Sequence, residues 1–198
     1  MVVVGFRGRT PDEARPTLRQ ATDLGLGGVV LFSVDQPTGG PRNVESPEQL
    51  AALVGALQSA ARLAPLLVAI DQEGGRVARL GPANGFPPPP QSAAEHGRLD
   101  DLAVTRAEGR AAAEVLAAAG ITLNLAPVVD LAVNPDNPII AALDRSFGVD
   151  PVKVAAQAGA TVALEPRTNW NQRGMKMIGM VVRAYHYAHP RRSWTACG

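Results

Sequence analysis

The sequence has a single cysteine, no long apolar run and no secretory leader, and each absence excludes a class of protein. Cys197 stands near the end of the chain, which excludes an internal disulfide framework and a paired-cysteine metal motif. No run of about 18 consecutive apolar residues occurs, so we expect no membrane span. The start lacks a basic segment followed by an apolar stretch and a cleavage site, so we expect a cytoplasmic location.

The composition is that of a globular protein, but it changes along the chain. Of the 198 residues, 46% are hydrophobic and 19% are charged, as in ordinary folded domains. Residues 1–164 carry a net charge of −4, whereas residues 165–198 carry +5 and hold both Trp and both Tyr. We therefore predict a folded part over 1–164 and a different, basic tail over 165–198. The basic residues of the tail are scattered and follow no nucleic-acid-binding motif, so we expect no nucleic-acid partner.

Short apolar runs alternate with helical patterns. The alternation predicts a parallel sheet whose strands are joined by helices. The predicted strands span residues 2–6, 28–32, 66–70 and 121–125. Four helices are predicted, over residues 11–24, from Ser46 onward, over residues 100–119 and over about 151–164. Ser46 caps the second helix, with Pro47 at its first position and Gln49 three residues after the cap. Gly120 ends the third.

Long loops follow three of these strands, at residues 33–43, 71–92 and 126–148. In parallel α/β folds the active site lies at the carboxyl ends of the strands, so the three loops mark one candidate site. A doubly wound nucleotide-binding fold is less consistent with the sequence, because the segment 5–9 after the first strand lacks the GxGxxG spacing.

The loop after the third strand opens with Asp71-Gln72-Glu73-Gly74-Gly75-Arg76-Val77-Ala78-Arg79. A carboxylate at a strand end can accept hydrogen bonds from sugar hydroxyls, and an arginine offers planar donors. We interpret Asp71 as functional because it lies at the strand tip. Glu73 and Arg76 are interpreted as a structural turn that pairs at the surface.

The loop after the fourth strand contains Asp130 and the triplet Arg145-Ser146-Phe147. Turn-forming Asn-Pro and Asp-Asn-Pro sequences explain much of the segment between them. Asp130 is interpreted as an orienting group rather than a catalyst. Arg145 beside an aromatic side chain suits a sugar-binding wall, and the isolated His96 is interpreted as a loop residue.

Taken in series, these phrases resemble the N-terminal domain of glycoside hydrolase family 3, in its β-N-acetylhexosaminidase branch. The matching segments are Gly27–Phe32, Asp71–Val77, Asn124–Asp130 and Arg145–Phe147. The resemblance implies a partial (β/α)8 TIM barrel of about four βα units that acts on a small carbohydrate without a cofactor or metal. It also implies that Asp71 binds sugar hydroxyls and that Arg79 and Arg145 contact the non-reducing-end sugar.

The resemblance fails after about residue 164. Members of the family continue with a Lys-His-Phe-Pro-Gly-His-Gly phrase, an Asp-Ser-His loop carrying the acid/base, and later an Asp nucleophile, none of which is found in residues 165–198. We therefore expect a truncated or frameshifted member that has no catalytic pair and is inactive as this fragment. The alternative function is a non-catalytic carbohydrate-binding α/β module.

Overall fold

A computed structural model describes residues 2–62 and 64–162, so the predictions for residues 165–198 lie outside the described part. Four strands form one parallel sheet in which each strand pairs with the next one along the chain, as predicted. Sequential parallel strands joined by helices are the arrangement of a (β/α) barrel, and the predicted fold class is confirmed. The strands are β1 (Val3–Gly5), β2 (Gly28–Leu31), β3 (Leu67–Ile70) and β4 (Leu123–Asn124).

Within the described residues, five α-helices accompany the strands: α1 (Arg15–Leu24), α2 (Pro47–Ala60), α3 (Ala93–Leu99), α4 (Leu102–Ala118) and α5 (Pro151–Val162). Ser46 accepts a hydrogen bond from the Gln49 backbone, and the Gln49 side chain completes the predicted capping box. Gly120 has a φ of 75° just after α4, as predicted for its left-handed position. No helix in the described residues is long and apolar enough to cross a bilayer.

The core lies between the sheet and the helices. Val29, Leu31, Val68 and Ile70 of the central strands are completely buried, which explains why these runs are continuously apolar. Burying a side chain of this size contributes roughly 1.5–3 kcal/mol. The helices contribute Leu50, Leu53, Leu57 and Leu116 to the same cluster.

Helix α3 and its His96 differ from the prediction. His96 is only 5% exposed, its Nδ1 lies 3.1 Å from Thr105 Oγ1, and its Nε2 lies 3.3 Å from Glu108 Oε2. The interpretation of His96 as a loop residue is therefore wrong. The physical reason is a second capping box, in which Ser92 and Glu95 start a helix that ends at Leu99, followed by Asp100 in the left-handed conformation with a φ of 56°.

Candidate functional site

Asp71 directly follows β3, and its carboxylate pairs with Arg79. The Arg79 Nη2 donates to Asp71 Oδ2 at 2.9 Å, and each side chain is about one quarter exposed. Gln72 fixes the returning chain, because its Oε1 accepts from the backbone N–H groups of Arg79 (2.8 Å) and Leu80 (3.0 Å). The fold therefore brings together Asp71 and Arg79, two of the predicted site residues, and their role in binding stays a prediction.

The ends of β3 and β4 are locked together by a reciprocal pair of hydrogen bonds. Asn124 Oδ1 accepts from the Gln72 backbone N–H at 3.0 Å, and Asn124 Nδ2 donates to the Gln72 carbonyl at 3.0 Å. Both residues are buried. Neither role is predicted from the sequence, although an amide side chain at a strand end is a signal for such a bridge.

The paired glycines after Glu73 make a tight turn that only glycine fits. Gly74 has a φ of 101° and Gly75 a φ of 53°. A Cβ on Gly74 would lie 2.4 Å from the Gln91 carbonyl oxygen, and one on Gly75 would lie 2.6 Å from Ser92 Cβ. The Gly75 N–H donates to the Pro90 carbonyl at 2.9 Å, so the turn is fastened to the far end of the loop.

Glu73 and Arg145 form a two-bond ion pair between the loops that follow β3 and β4. Arg145 Nε donates to Glu73 Oε2 at 2.8 Å, and Arg145 Nη2 donates to Glu73 Oε1 at 2.7 Å. The Arg145 side chain is 21% exposed and the Glu73 side chain is 8% exposed. The hydrogen bonds to Glu73 raise the pKa of Arg145, partly offset by burial, and the charges of Asp71 and Asp130 add to the rise. We call Asp71, Glu73, Arg79 and Arg145 the rim cluster.

Two sequence interpretations near the rim cluster are wrong. Glu73 does not pair with Arg76 at the surface but is buried against Arg145; Arg76 is 65% exposed, 3.8 Å from Asp144, and donates to the Ala142 carbonyl. Phe147 is 4% exposed and packs with the apolar side of α5, so it offers no sugar-binding wall. Neither the Glu73–Arg145 pairing nor the burial of Phe147 could be predicted from neighbouring residues. Both depend on the path and packing of the long loop over residues 126–148.

Unused hydrogen-bonding capacity remains within the rim cluster. Arg79 Nε is buried and has no hydrogen-bond partner among the described residues. Arg145 Nη1 makes only a long 3.5 Å contact with the Ile139 carbonyl. Among the described residues, no group of three or more His, Cys, Asp or Glu side chains could hold a metal ion.

The loop after β2 carries a further ion cluster. Asp35 is buried and pairs with Arg7 at 2.9 Å and with Arg42 at 3.8 Å. Burial alone would raise the pKa of Asp35, but the hydrogen bonds from Thr38 and Arg7 outweigh it and hold the pKa below its usual value. The carboxyl ends of the strands therefore hold charged pairs on the β2 loop as well as on the β3 and β4 loops.

The comparisons with known proteins decide the family. The chain matches the glycosyl hydrolase family 3 N-terminal domain over residues 3–188. The chain belongs to this family. It is 39% identical over 194 residues to a beta-hexosaminidase of Tolumonas auensis, covering 92% of this chain and 51% of that relative. The division of the chain at residue 164 stays a prediction.

Solved structures of the family agree with the fold. A family 3 beta-N-acetylglucosaminidase from Paenibacillus superposes with a TM-score of 0.70 at 33% identity, covering 81% of this chain and 28% of that one. NagZ from Neisseria gonorrhoeae, in complex with N-trifluoroacetyl-D-glucosamine, gives a TM-score of 0.70 at 26% identity, with 94% and 51% covered. This chain spans about half the length, or less, of the curated relatives it matches.

Proposed function

We propose that the rim cluster is the sugar-binding part of a retaining β-N-acetylhexosaminidase site, with Asp71, Arg79 and Arg145 as substrate-binding residues. One observation carries the proposal: two arginine–carboxylate pairs lie at the carboxyl ends of β3 and β4 in a family 3 domain. The names of the relatives, beta-hexosaminidase and beta-N-acetylglucosaminidase, support an N-acetylated β-linked sugar as substrate. Substrates with a β-linked glucose are the other candidates.

The chemistry assigns binding to these residues and bond cleavage to others. Retaining hydrolysis needs a nucleophile on one face of the anomeric carbon and an acid/base beside the leaving oxygen. Within the part of the chain that the structure describes, Asp71 and Glu73 are both ion-paired with arginine. An ionised carboxylate accepts hydrogen bonds from hydroxyls, and a guanidinium donates to sugar oxygens. We therefore propose that the catalytic pair is supplied by neither Asp71 nor Glu73, and that these 198 residues alone bind a sugar without hydrolysing it.

The same pairing also supports the second candidate, a non-catalytic carbohydrate-binding module. The two candidates share the sugar and differ in whether a nucleophile ever acts on it. Turnover of a chromogenic glycoside separates them, whereas affinity alone does not. The absence of a nucleic-acid partner and the cytoplasmic location remain predictions from the sequence.

The test is a titration of the purified chain with N-acetyl-D-glucosamine, combined with an assay on chromogenic β-N-acetylglucosaminide and β-glucoside. We expect binding that Asp71→Asn weakens about tenfold, because losing one charge-assisted hydrogen bond costs about 1.5 kcal/mol. Asp12→Asn is the matched control, since the Asp12 side chain is 87% exposed and pairs at the surface with Arg15, the first residue of α1. Absence of binding, or equal loss in both variants, would contradict the proposal; turnover abolished by Asp71→Asn would show that the chain itself contains a catalyst.

A further inference from the structure

The Glu73–Arg145 pair is the contact of the rim cluster that spans the greatest distance along the chain. It joins residues 72 positions apart through two hydrogen bonds of 2.8 and 2.7 Å. Both carboxylate oxygens of Glu73 are used on Arg145, and the Glu73 side chain is only 8% exposed. Glu73 is therefore placed to act on Arg145 rather than on a ligand.

The backbone at each end of the pair is held independently. The Glu73 N–H donates to the Val77 carbonyl at 2.9 Å, and the Val77 N–H donates to the Gly74 carbonyl at 3.1 Å. The Arg145 N–H donates to the Ile140 carbonyl at 3.0 Å, and the neighbouring Ser146 hydroxyl donates to the Asp130 carbonyl at 2.6 Å. Two fixed backbones joined by a bidentate pair leave the guanidinium a single orientation.

This orientation leaves the Nη1 edge of the guanidinium available to a ligand. Nε and the Glu73-facing hydrogen of Nη2 are occupied, so Nη1 is the nitrogen least committed to the protein. Buried ion pairs contribute little net stability, because the cost of removing two charges from water offsets their attraction. The pair therefore determines the orientation of the Arg145 side chain more than it stabilises the fold.

We propose that Glu73 is a positioning residue that holds the Arg145 guanidinium with Nη1 directed at the sugar. The inference rests on the proposed function, since it takes Arg145 as a substrate-binding residue. Without Glu73 the side chain of Arg145 regains several rotamers, and part of the binding free energy is then spent on ordering it. The loss appears as weaker binding that depends on Arg145 being present.

The test is a double-mutant cycle on the full chain with N-acetyl-D-glucosamine as the probe. Dissociation constants are measured for wild type, Glu73→Gln, Arg145→Ala and the double variant, with folding checked by circular dichroism. We expect Glu73→Gln to weaken binding about tenfold in the wild-type background and less than about twofold in the Arg145→Ala background. Glu73→Asp, which keeps the charge on a shorter side chain, should recover part of the loss. Lys153→Met, which breaks the ion pair between Lys153 on α5 and Asp100 after α3, is the control and should leave affinity unchanged.

The outcomes separate the inference from the proposed function. Equal loss in both Arg145 backgrounds would mean that Glu73 acts through general stability, and the positioning role would be overturned. If Glu73→Gln does not fold, the cycle is repeated with Glu73→Asp, and a loss of affinity that is equal in both Arg145 backgrounds would overturn the role in the same way. Absence of binding by the wild-type chain would overturn the proposed function, and the inference with it.

Discussion

The two ion pairs of the rim cluster are built in opposite ways. Asp71 and Arg79 are eight residues apart, share one hydrogen bond and are each about one quarter exposed. Glu73 and Arg145 are 72 residues apart, share two bonds and are more deeply buried on the carboxylate side. The first pair is local and solvent-accessible, so a ligand can displace or join it. The second pair joins distant parts of the chain and has a buried carboxylate, so it fixes the orientation of the Arg145 guanidinium.

This contrast depends on the Gly74–Gly75 turn, which directly follows Glu73 and lies between Asp71 and its partner Arg79 in sequence. Gly74→Ala places a Cβ 2.4 Å from the Gln91 carbonyl oxygen at a φ of 101°. We expect the free energy of unfolding to fall by about 2–4 kcal/mol, because both a backbone clash and strain are introduced. Urea unfolding followed by circular dichroism measures the change. It is the largest effect we predict.

Gly55→Ala is the matched control for this substitution. Gly55 lies on α2 with no atom within 4 Å of an added Cβ, so the same change should be neutral or stabilise the helix by up to about 1 kcal/mol. A Gly74→Ala variant as stable as Gly55→Ala would show that the turn is not under the constraint described.

Arg145→Ala tests the Glu73–Arg145 side of this comparison. The variant removes the donor that we propose contacts the sugar and also leaves Glu73 buried without its partner. We therefore expect affinity for N-acetyl-D-glucosamine to fall at least about tenfold and stability to fall by about 3 kcal/mol. Asp71→Asn should lower affinity similarly with a smaller loss of stability, because its pair with Arg79 is more exposed. Parallel calorimetric titrations and unfolding curves decide the point. Equal losses of stability in the two variants would remove the distinction between the pairs.

Arg76 provides the comparison with an exposed arginine on the same loop. Its side chain is 65% exposed, with Nε 3.8 Å from Asp144 Oδ2, so Arg76→Ala should cost under about 1 kcal/mol and leave sugar affinity unchanged. Thermal unfolding and the same titration measure both. A tenfold loss of affinity in this variant would place the sugar nearer to Arg76 than we propose.

The capping box of α3 gives a small effect on stability, and the pH dependence of that effect has a definite sign. The Ser92 hydroxyl, with the Ser92 backbone N–H, lowers the pKa of Glu95 below its usual 4.5. A carboxyl whose pKa is depressed in the folded state stabilises the fold above its unfolded pKa and loses that contribution as pH falls through the folded pKa. Ser92→Ala should therefore cost about 1 kcal/mol near pH 7 and less well below pH 4.5. A cost that does not shrink in acid, measured by urea unfolding at both pH values, would contradict this assignment.

Local patterns in the sequence predict most of the fold. Continuous apolar runs predict the four strands, and Ser46 with Gln49 predicts the start of α2, because each depends on neighbouring residues. Helix α3 was missed although Ser92-Ala-Ala-Glu95 carries the same capping signal as Ser46 to Gln49. The short length of the helix, seven residues, gives too few turns for an apolar period to show.

The candidate site is predicted only as far as its strand ends. Asp71 could be singled out because the end of a parallel strand fixes its position. The partner of Glu73 could not, since the choice between Arg76 and Arg145 depends on how a loop of more than 20 residues returns to the sheet. The burial of Phe147 follows from the same loop path and from the position of α5.

The location of a bound sugar tests the central claim most directly, and a crystal structure of the chain with N-acetyl-D-glucosamine would provide it. We predict the sugar at the carboxyl ends of β3 and β4, with a hydroxyl on the Asp71 carboxylate, an oxygen atom on Arg145 Nη1, and the Glu73–Arg145 pair intact. A sugar bound away from the rim cluster, or one that contacts Glu73 in place of Arg145, would contradict the account.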